Sequence, residues 1–197
     1  MSPRIGLDLP TLLEAATELA DQQGLESVTL ASLASQLNIR SPSLYNHVNG
    51  LPELRRLLAL KGLELLLTKL DGAAANLLGD EALMAFCRAY LSFSREHPGL
   101  YEAFQRAPEP DDTELKQAAA LVVDRAVQAI GAYGLQGDAA IHAVRAVRSF
   151  LHGFASLERQ GGFGIKLDLD DTFRLMVETF IAGVKARRNE ASEGVPT

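Results

Sequence analysis

Apolar side chains recur every three or four residues along most of this chain, and strict two-residue alternation of the kind a half-buried strand shows is missing. Leu12, Ala15, Ala16, Leu19 and Ala20 share one face of a helix expected over residues 9–23, with Pro10 in its first turn and Gly24 as its stop. After a short connector, Thr29 is a good N-cap for a second helix over 30–37. Asn38-Ile39-Arg40 reads as a tight turn. Ser41 caps a third helix that carries Pro42 at its first position and runs to Val48. Asn49-Gly50 ends it, and Pro52 opens a long fourth helix to about residue 70. Five more follow, at about 80–96, 100–105, 113–133, 138–160 and 168–188, separated by Pro98-Gly99, the stretch APEPDD, Gly134–Gly137 and Gly161-Gly162-Phe163-Gly164. The expected fold class is all-α with about nine helices.

Composition narrows the reading. The 197 residues are 47% hydrophobic and 22% charged, which fits one or two small globular domains and excludes a collagen-like, fibrous or predominantly disordered chain. A single cysteine excludes an internal disulfide and a Cys-based zinc site. The N-terminus lacks the apolar run of a secretory signal, and Lys61 and Glu64 interrupt the most apolar stretch, so the expectation is a soluble, cytoplasmic protein with no membrane partner. The expected organisation is an N-terminal three-helix domain (1–50), a connecting helix (51–70), a larger helical domain (71–188) and a disordered polar tail (189–197).

Residues 29–48 carry the functional signal. Two short helices joined by a tight turn form a helix-turn-helix. Leu30, Leu33, Ala34 and Leu37 point into a small core, Ile39 plugs the turn, and Leu44 and Val48 anchor the third helix from beneath. Ser41, Ser43, Tyr45, Asn46 and His47 are left outward, all small or polar hydrogen-bonding types suited to phosphates and base edges. The first turn of such a helix adds free N–H groups and a positive dipole end. On this pattern alone, a helix pair with polar residues outward and no DNA role fits as well.

The run Val28-Thr29-Leu30, Leu33-Ala34, Leu37-Asn38-Ile39 and Ser41-Pro42-Ser43-Leu44-Tyr45-Asn46-His47-Val48 closely resembles the N-terminal domain of tetracycline-repressor-type (TetR-family) transcriptional regulators. A second resemblance, in His97-Pro98-Gly99-Leu100-Tyr101 and Arg148-Ser149-Phe150-Leu151-His152-Gly153, is to a C-terminal subtype named for a Trp-His-Gly motif, although this chain holds no tryptophan. The resemblance implies a homodimer that reads two half-sites of double-stranded operator DNA, with no cofactor and no catalysis. Tyr45 and His47 would touch phosphate. Ser41, Pro42, Ser43 and Asn46 would lie nearest the bases, with Arg40 beside the groove and Thr29 as cap and phosphate donor. Departures from the family lie at Ala31 and Leu51, where members often place a basic residue, and in an N-terminal arm whose one basic residue is Arg4. Residues 1–70 hold six basic against seven acidic side chains, so weak nonspecific binding and a shallow salt dependence are expected.

Residues 71–197 carry 13 basic and 18 acidic groups, which speaks against a second DNA-binding surface there. Phe86, Tyr90 and Phe93 fall at helical spacing, and Tyr101 and Phe104 follow. Such a stripe is ordinary core, or, as the resemblance implies, the wall of a small-molecule effector cavity with His142 and Arg145 as polar members. Arg145 fits a solvated surface equally well. The two last helices, with Ser149, Gly153, Phe150, Phe154, Phe173, Val177 and Phe180, either form a two-fold four-helix dimer interface or close a monomer's core. The four histidines lack metal-ligand spacing, and no nucleophile elbow or phosphate-binding loop is present. Cys87 reads as a small core residue. The functional expectation is a ligand-responsive regulator, most simply a repressor; the alternative is a small all-helical enzyme or carrier without DNA binding.

Overall fold

The computed structural model describes residues 7–106 and 108–193, with side chains described through residue 187. The described residues form α1 (Leu9–Gln23), α2 (Leu30–Gln36), α3 (Leu51–Ala74), α4 (Gly79–Glu96), α5 (Pro98–Ala103), α6 (Thr113–Gly131), α7 (Gly137–Arg159) and α8 (Leu169–Glu193). Two 3₁₀ segments, Leu25–Ser27 and Ser41–Asn46, complete an all-helical fold with no strand among these residues. Two of the differences from the expected helices are instructive. The third expected helix is the 3₁₀ segment Ser41–Asn46. The last helix continues through Glu193, into the tail expected to be disordered, and residues 194–197 and Arg4 lie outside the described residues.

The chain divides into two compact units, one of residues up to Leu65 together with Glu96–Ala119, the other of Leu66–Arg95 and the chain from Ala120 onward. Residues 96–119, expected with the C-terminal half, therefore pack in the first unit, and the expected boundaries at 50 and 70 do not mark where contacts thin out.

In the first unit, α1 starts where the Asp8 carboxylate accepts the Thr11 N–H (2.9 Å), and it buries Leu12, Ala15, Ala16, Leu19 and Ala20. Gly24, at φ +88°, turns the chain out of the helix. α5 opens at Pro98, although Pro98-Gly99 reads locally as a helix breaker. The Asp21 carboxylate of α1 accepts the N–H of Gly99 (2.8 Å) and of Leu100 (3.3 Å), and its other oxygen lies 2.9 Å from His97 Nδ1. A helix start thus finds its cap in a residue distant in sequence, on another helix. The approach is so close that a Cβ on Gly99 would lie 2.3 Å from the carbonyl carbon of Ala20. On α3, Arg56 forks onto both Asp112 oxygens (2.6 and 2.9 Å) and reaches Glu114 (2.7 Å). Asp112 also accepts the Leu115 N–H at the start of α6.

The core of the second unit is formed by Leu83, Phe86, Cys87, Tyr90 and Phe93 of α4, Ile130 and Tyr133, Val144, Val147, Leu151 and Phe154 of α7, and Phe173, Val177, Ile181 and Val184 of α8. Phe154 packs against Phe163 and Phe173 at centroid separations of 5.0 and 5.1 Å. Burial pushes the Cys87 thiol up to about 12, so it sits in the core as a neutral small hydrophobe.

Gly99→Ala is expected to lower stability by about 1–3 kcal/mol, because the obstructing atoms are backbone. Gly72→Ala, inside exposed helix with nothing near its would-be Cβ, is expected to raise it by about 0.5–1 kcal/mol. Urea midpoints check both, and an unchanged Gly99→Ala midpoint refutes the close-approach argument. The Arg56 guanidinium, with help from the Leu115 N–H, holds the Asp112 carboxyl below the usual carboxylate range. A depressed folded-state value contributes stability that is complete above the unfolded value of about 3.9 and is lost as pH falls through the lower folded one. The Asp112→Asn deficit in urea midpoint should therefore be present at neutral pH and shrink on acidification below about pH 4; a deficit that grows on acidification contradicts the pairing.

Candidate nucleic-acid interface

Thr29 and Ser32 form a reciprocal cap at the start of α2: Ser32 N–H donates to Thr29 Oγ1 (3.0 Å) and Thr29 N–H to Ser32 Oγ (2.9 Å). Leu33 and Ala34 are buried beneath it. Asn38 adopts φ +52°, and Ile39 N–H closes onto Ala34 O (3.0 Å), so the chain leaves α2 through a left-handed residue.

The next segment is wound with three residues per turn: Ser43 N–H donates to Arg40 O and His47 N–H to Leu44 O, both at 2.9 Å. Pro42 brings no N–H of its own, and the segment is too short to recover the longer-range ladder. The winding sorts the side chains. Ser41, Leu44 and His47, three apart, align on the inner side, where Leu44 is wholly buried and Ser41 and His47 are half-buried. Pro42 with Tyr45, and Ser43 with Asn46, align outward and are exposed. Tyr45, 60% exposed, is held outward by its neighbour Leu44 and by Val48, which is buried. Of the sequence-predicted contact residues, then, Thr29, Arg40, Pro42, Ser43, Tyr45 and Asn46 share an exposed setting, while Ser41 and His47 are recessed.

Two arginines of this unit are held by its own acids. Arg55 pairs with Glu26 (2.9 Å), and Arg56 with Asp112 and Glu114, which raises the already high Arg56 value further. Glu53 accepts the Asn49 N–H just ahead of α3. Arg40 is exposed and has no ion-pair partner among the described residues. Near the reading segment, the cations that face outward unpaired are therefore few.

The residues expected for an effector pocket are distributed over both units. Phe86, Tyr90 and Phe93 are buried in the second unit, and Phe86 lines a cavity of about 210 Å³ with Leu70, Ala74 and Ala129. Tyr101 and Phe104 belong to the first unit, where their rings meet edge-on at 5.6 Å and Phe104 fills the space beside Gly62. His142 and Arg145 are exposed on α7, and His142 lines a surface groove rather than an aromatic cavity. Of the residues expected at a dimer interface, Phe154, Phe173 and Val177 are enclosed by their own unit and have no area left for a second copy. Ser149, Phe150, Gly153 and Phe180 retain exposure, with Phe150 and Phe180 in ring contact at 5.3 Å. Beside them runs a groove of about 960 Å³ between α7 and α8, walled by Ala139, Ala143, Ala146 and Gly183. Sequence reasoning misses these alanines; their three-to-four spacing on α7 is the available signal.

Among the described residues no helix is long and apolar enough to cross a membrane, and no three His, Cys, Asp or Glu side chains cluster as metal ligands. Residues 12–47 match the family model for bacterial regulatory proteins of the tetR family, and residues 83–180 match the tetracyclin repressor-like C-terminal domain. YobS of Bacillus subtilis (strain 168), described as an uncharacterized HTH-type transcriptional regulator, is 38% identical over 93% of this chain and 96% of its own. A solved protein of unknown function from Rhodococcus sp. RHA1 superposes with a TM-score of 0.77 at 21% identity, over 93% of this chain and 98% of the other. A single-residue variant of TetR from Acinetobacter baumannii AYE, solved in complex with minocycline, superposes with a TM-score of 0.68 at 22% identity, over 92% and 98%. With a helix-turn-helix whose polar face is open and relatives matched along nearly its whole length, the chain belongs to the TetR family of DNA-binding transcriptional regulators and is not an enzyme.

Proposed function

We propose that this regulator is a cytoplasmic homodimeric repressor that leaves its operator when a small molecule binds. The observation that carries the reading is the exposed run Pro42, Ser43, Tyr45 and Asn46 standing over a fully buried Leu44. A surface of hydroxyl, phenol and amide groups on a rigidly anchored segment meets the needs of groove contact. Tyr45 and Arg40 serve phosphates, Pro42, Ser43 and Asn46 the base edges, and the recessed Ser41 and His47 orient the segment. Thr29 fixes the start of α2 beside it.

The small-residue groove between α7 and α8 supports pairing of two copies, because alanine and glycine let helices approach closely, and two helices from each copy form a two-fold bundle. The minocycline complex of the Acinetobacter protein supports effector response in a protein of this fold. Two heads must meet half-sites spaced by one helical turn of DNA, roughly 34–36 Å, or a multiple. An effector that favours a dimer with another head spacing weakens binding, and one with equal affinity for both states does nothing.

In a gel-shift assay against DNA upstream of the protein's own gene, Tyr45→Phe and Ser43→Ala are each expected to weaken binding. Each removes one hydrogen bond per head at about 1 kcal/mol, so about 2 kcal/mol or over tenfold for two heads. The slope of log K against log salt is expected to be shallower than about −6 for the dimer, given the paired Arg55 and Arg56. Undiminished binding by both variants, or a steeper slope, counts against the contact assignment. Ala146→Arg, which places a long cation in the α7–α8 groove, is expected to convert dimer to monomer in size-exclusion chromatography with light scattering; a dimer of unchanged mass rejects this groove as the interface.

A further inference from the structure

A second groove, of about 1000 Å³, lies within the second unit on another side of α8, with walls from the end of α3, from α4 and from α8. Its register is fixed at both ends by ion pairs. Lys185 Nζ sits 2.5 Å from Asp80 Oδ2 at the start of α4, and Arg95 at the end of α4 sits 2.8 Å from Asp170 at the start of α8. α4 and α8 therefore run antiparallel along the groove. α3 and α4 do too, because only the turn at 75–78 separates them. The floor of the groove is apolar, from Leu77 at the turn end through Ala73, Met84, Ala85 and Ile181.

The charges at its ends differ. At the turn end, Asp80 is satisfied by Lys185 and by the Tyr133 hydroxyl (3.1 Å), and both contacts hold its carboxyl below the usual carboxylate range. Glu81 stands beside it. At the far end, Glu178 is held by Arg174 (3.1 Å), which leaves Arg88 facing the groove, exposed and with no hydrogen-bond or ion-pair partner among the described residues. Lys69 of α3 lines the groove opposite Met84, and the Ser92 hydroxyl lies one turn beyond Arg88 along α4. Arg88 is two helical turns from Glu81, about 10 Å, beyond close-range opposition in salt.

We propose that this groove takes an amphipathic carboxylate, its head group on Arg88 and its hydrocarbon body lying along α4 over Ala85 and Met84 toward Leu77. The site rests on the effector-response reading above and names the chemical class that reading leaves open. Gly79 to Arg88 spans nine residues, about 13 Å at the helical rise, and Leu77 lies just beyond, so an extended chain of about twelve carbons covers the path. A guanidinium offers a carboxylate a paired, planar set of donors, and the apolar floor supplies the area that a bare anion site lacks.

The test is isothermal titration of the full-length protein with dodecanoate, dodecanol and dodecyltrimethylammonium, each below its micelle concentration. Dodecanoate is expected to bind at least tenfold more tightly than the other two. Arg88→Gln should erase that preference while leaving dodecanol binding unchanged, and Ala85→Phe, which fills the floor, should weaken all three; circular dichroism confirms that each variant folds. Equal binding of the three probes, tightest binding of the ammonium, or a preference that survives Arg88→Gln overturns the proposal. Gel shifts with the same probes separate the two readings. Operator release by other small molecules, with no dodecanoate binding, sinks the carboxylate site and spares effector response. Dodecanoate binding that Arg88→Gln weakens, with operator affinity unchanged, supports the site and counts against its role as effector site.

Discussion

The first unit depends on the contact between the end of α1 and the start of α5. Six residues cannot hold a helix on their own, since the first turn fixes several dihedral angles for one hydrogen bond. The Asp21 carboxylate removes that difficulty by accepting the Gly99 and Leu100 N–H groups at the positive end of the helix, while His97 Nδ1 meets its second oxygen. The contact exists only because residue 99 has no side chain, for any Cβ there would enter the backbone of Ala20. One carboxylate and one missing methyl group thus tie a segment far along the chain to the helix that packs against α2. The unit that carries the helix-turn-helix is for this reason discontinuous in sequence, and a fragment ending at residue 50 would leave Asp21 without its partners and Ala20 without its cover.

The same unit ties up the two arginines at the start of α3. Arg55 and Arg56 lie near the start of α3, yet Glu26, Asp112 and Glu114 hold them, and the Arg56 fork also fixes the start of α6. On the proposed reading, DNA affinity then comes from hydrogen-bonding groups placed rigidly on one short segment more than from release of counterions. Nonspecific binding is the part of affinity that phosphate neutralisation supplies, whereas hydrogen bonds to base edges vary with sequence. A head poor in free cations therefore binds weakly everywhere, and its discrimination rests on the fit of Ser43, Tyr45 and Asn46.

What is legible in the sequence follows the range of the interactions. The Thr29 cap, the Gly24 stop, the buried face of α1 and the exposure of Ser43, Tyr45 and Asn46 are local, each set by residues within four positions, and each is where the pattern puts it. The start of α5 is hidden because its cap comes from Asp21. The winding of Ser41–Asn46 is hidden because a period of three and one of 3.6 barely separate over six residues, though the difference moves Ser41 and His47 inward. The aromatic stripe shows the limit most clearly. Periodicity places Phe86, Tyr90, Phe93 and Tyr101 in buried positions, but it does not tell that Tyr101 and the half-buried Phe104 belong to another unit. Likewise Phe154, Phe173 and Val177 follow an apolar face whose partner proves to be their own chain.

The packing of the second unit also bears on where a ligand finds room there. Large rings at native packing density fill their own space, so an aromatic wall without a gap is core, and the cavity that Phe86 borders is smaller than the roughly 300 Å³ at which ligand pockets begin. Within the second unit, room appears where small residues line facing helices: Ala139, Ala143, Ala146 and Gly183 in one groove, Ala73, Ala85 and Ala182 in the other. α8 borders both. Its Phe180, Gly183 and Arg187 face the first, its Glu178, Ala182 and Lys185 the second, and Ile181 and Val184 are buried between them. If the first groove receives a second copy and the second a ligand, one rigid helix senses both. A ligand that shifts α8 by a fraction of a turn then changes how two copies pack, because close-packed helices have few intermediate arrangements.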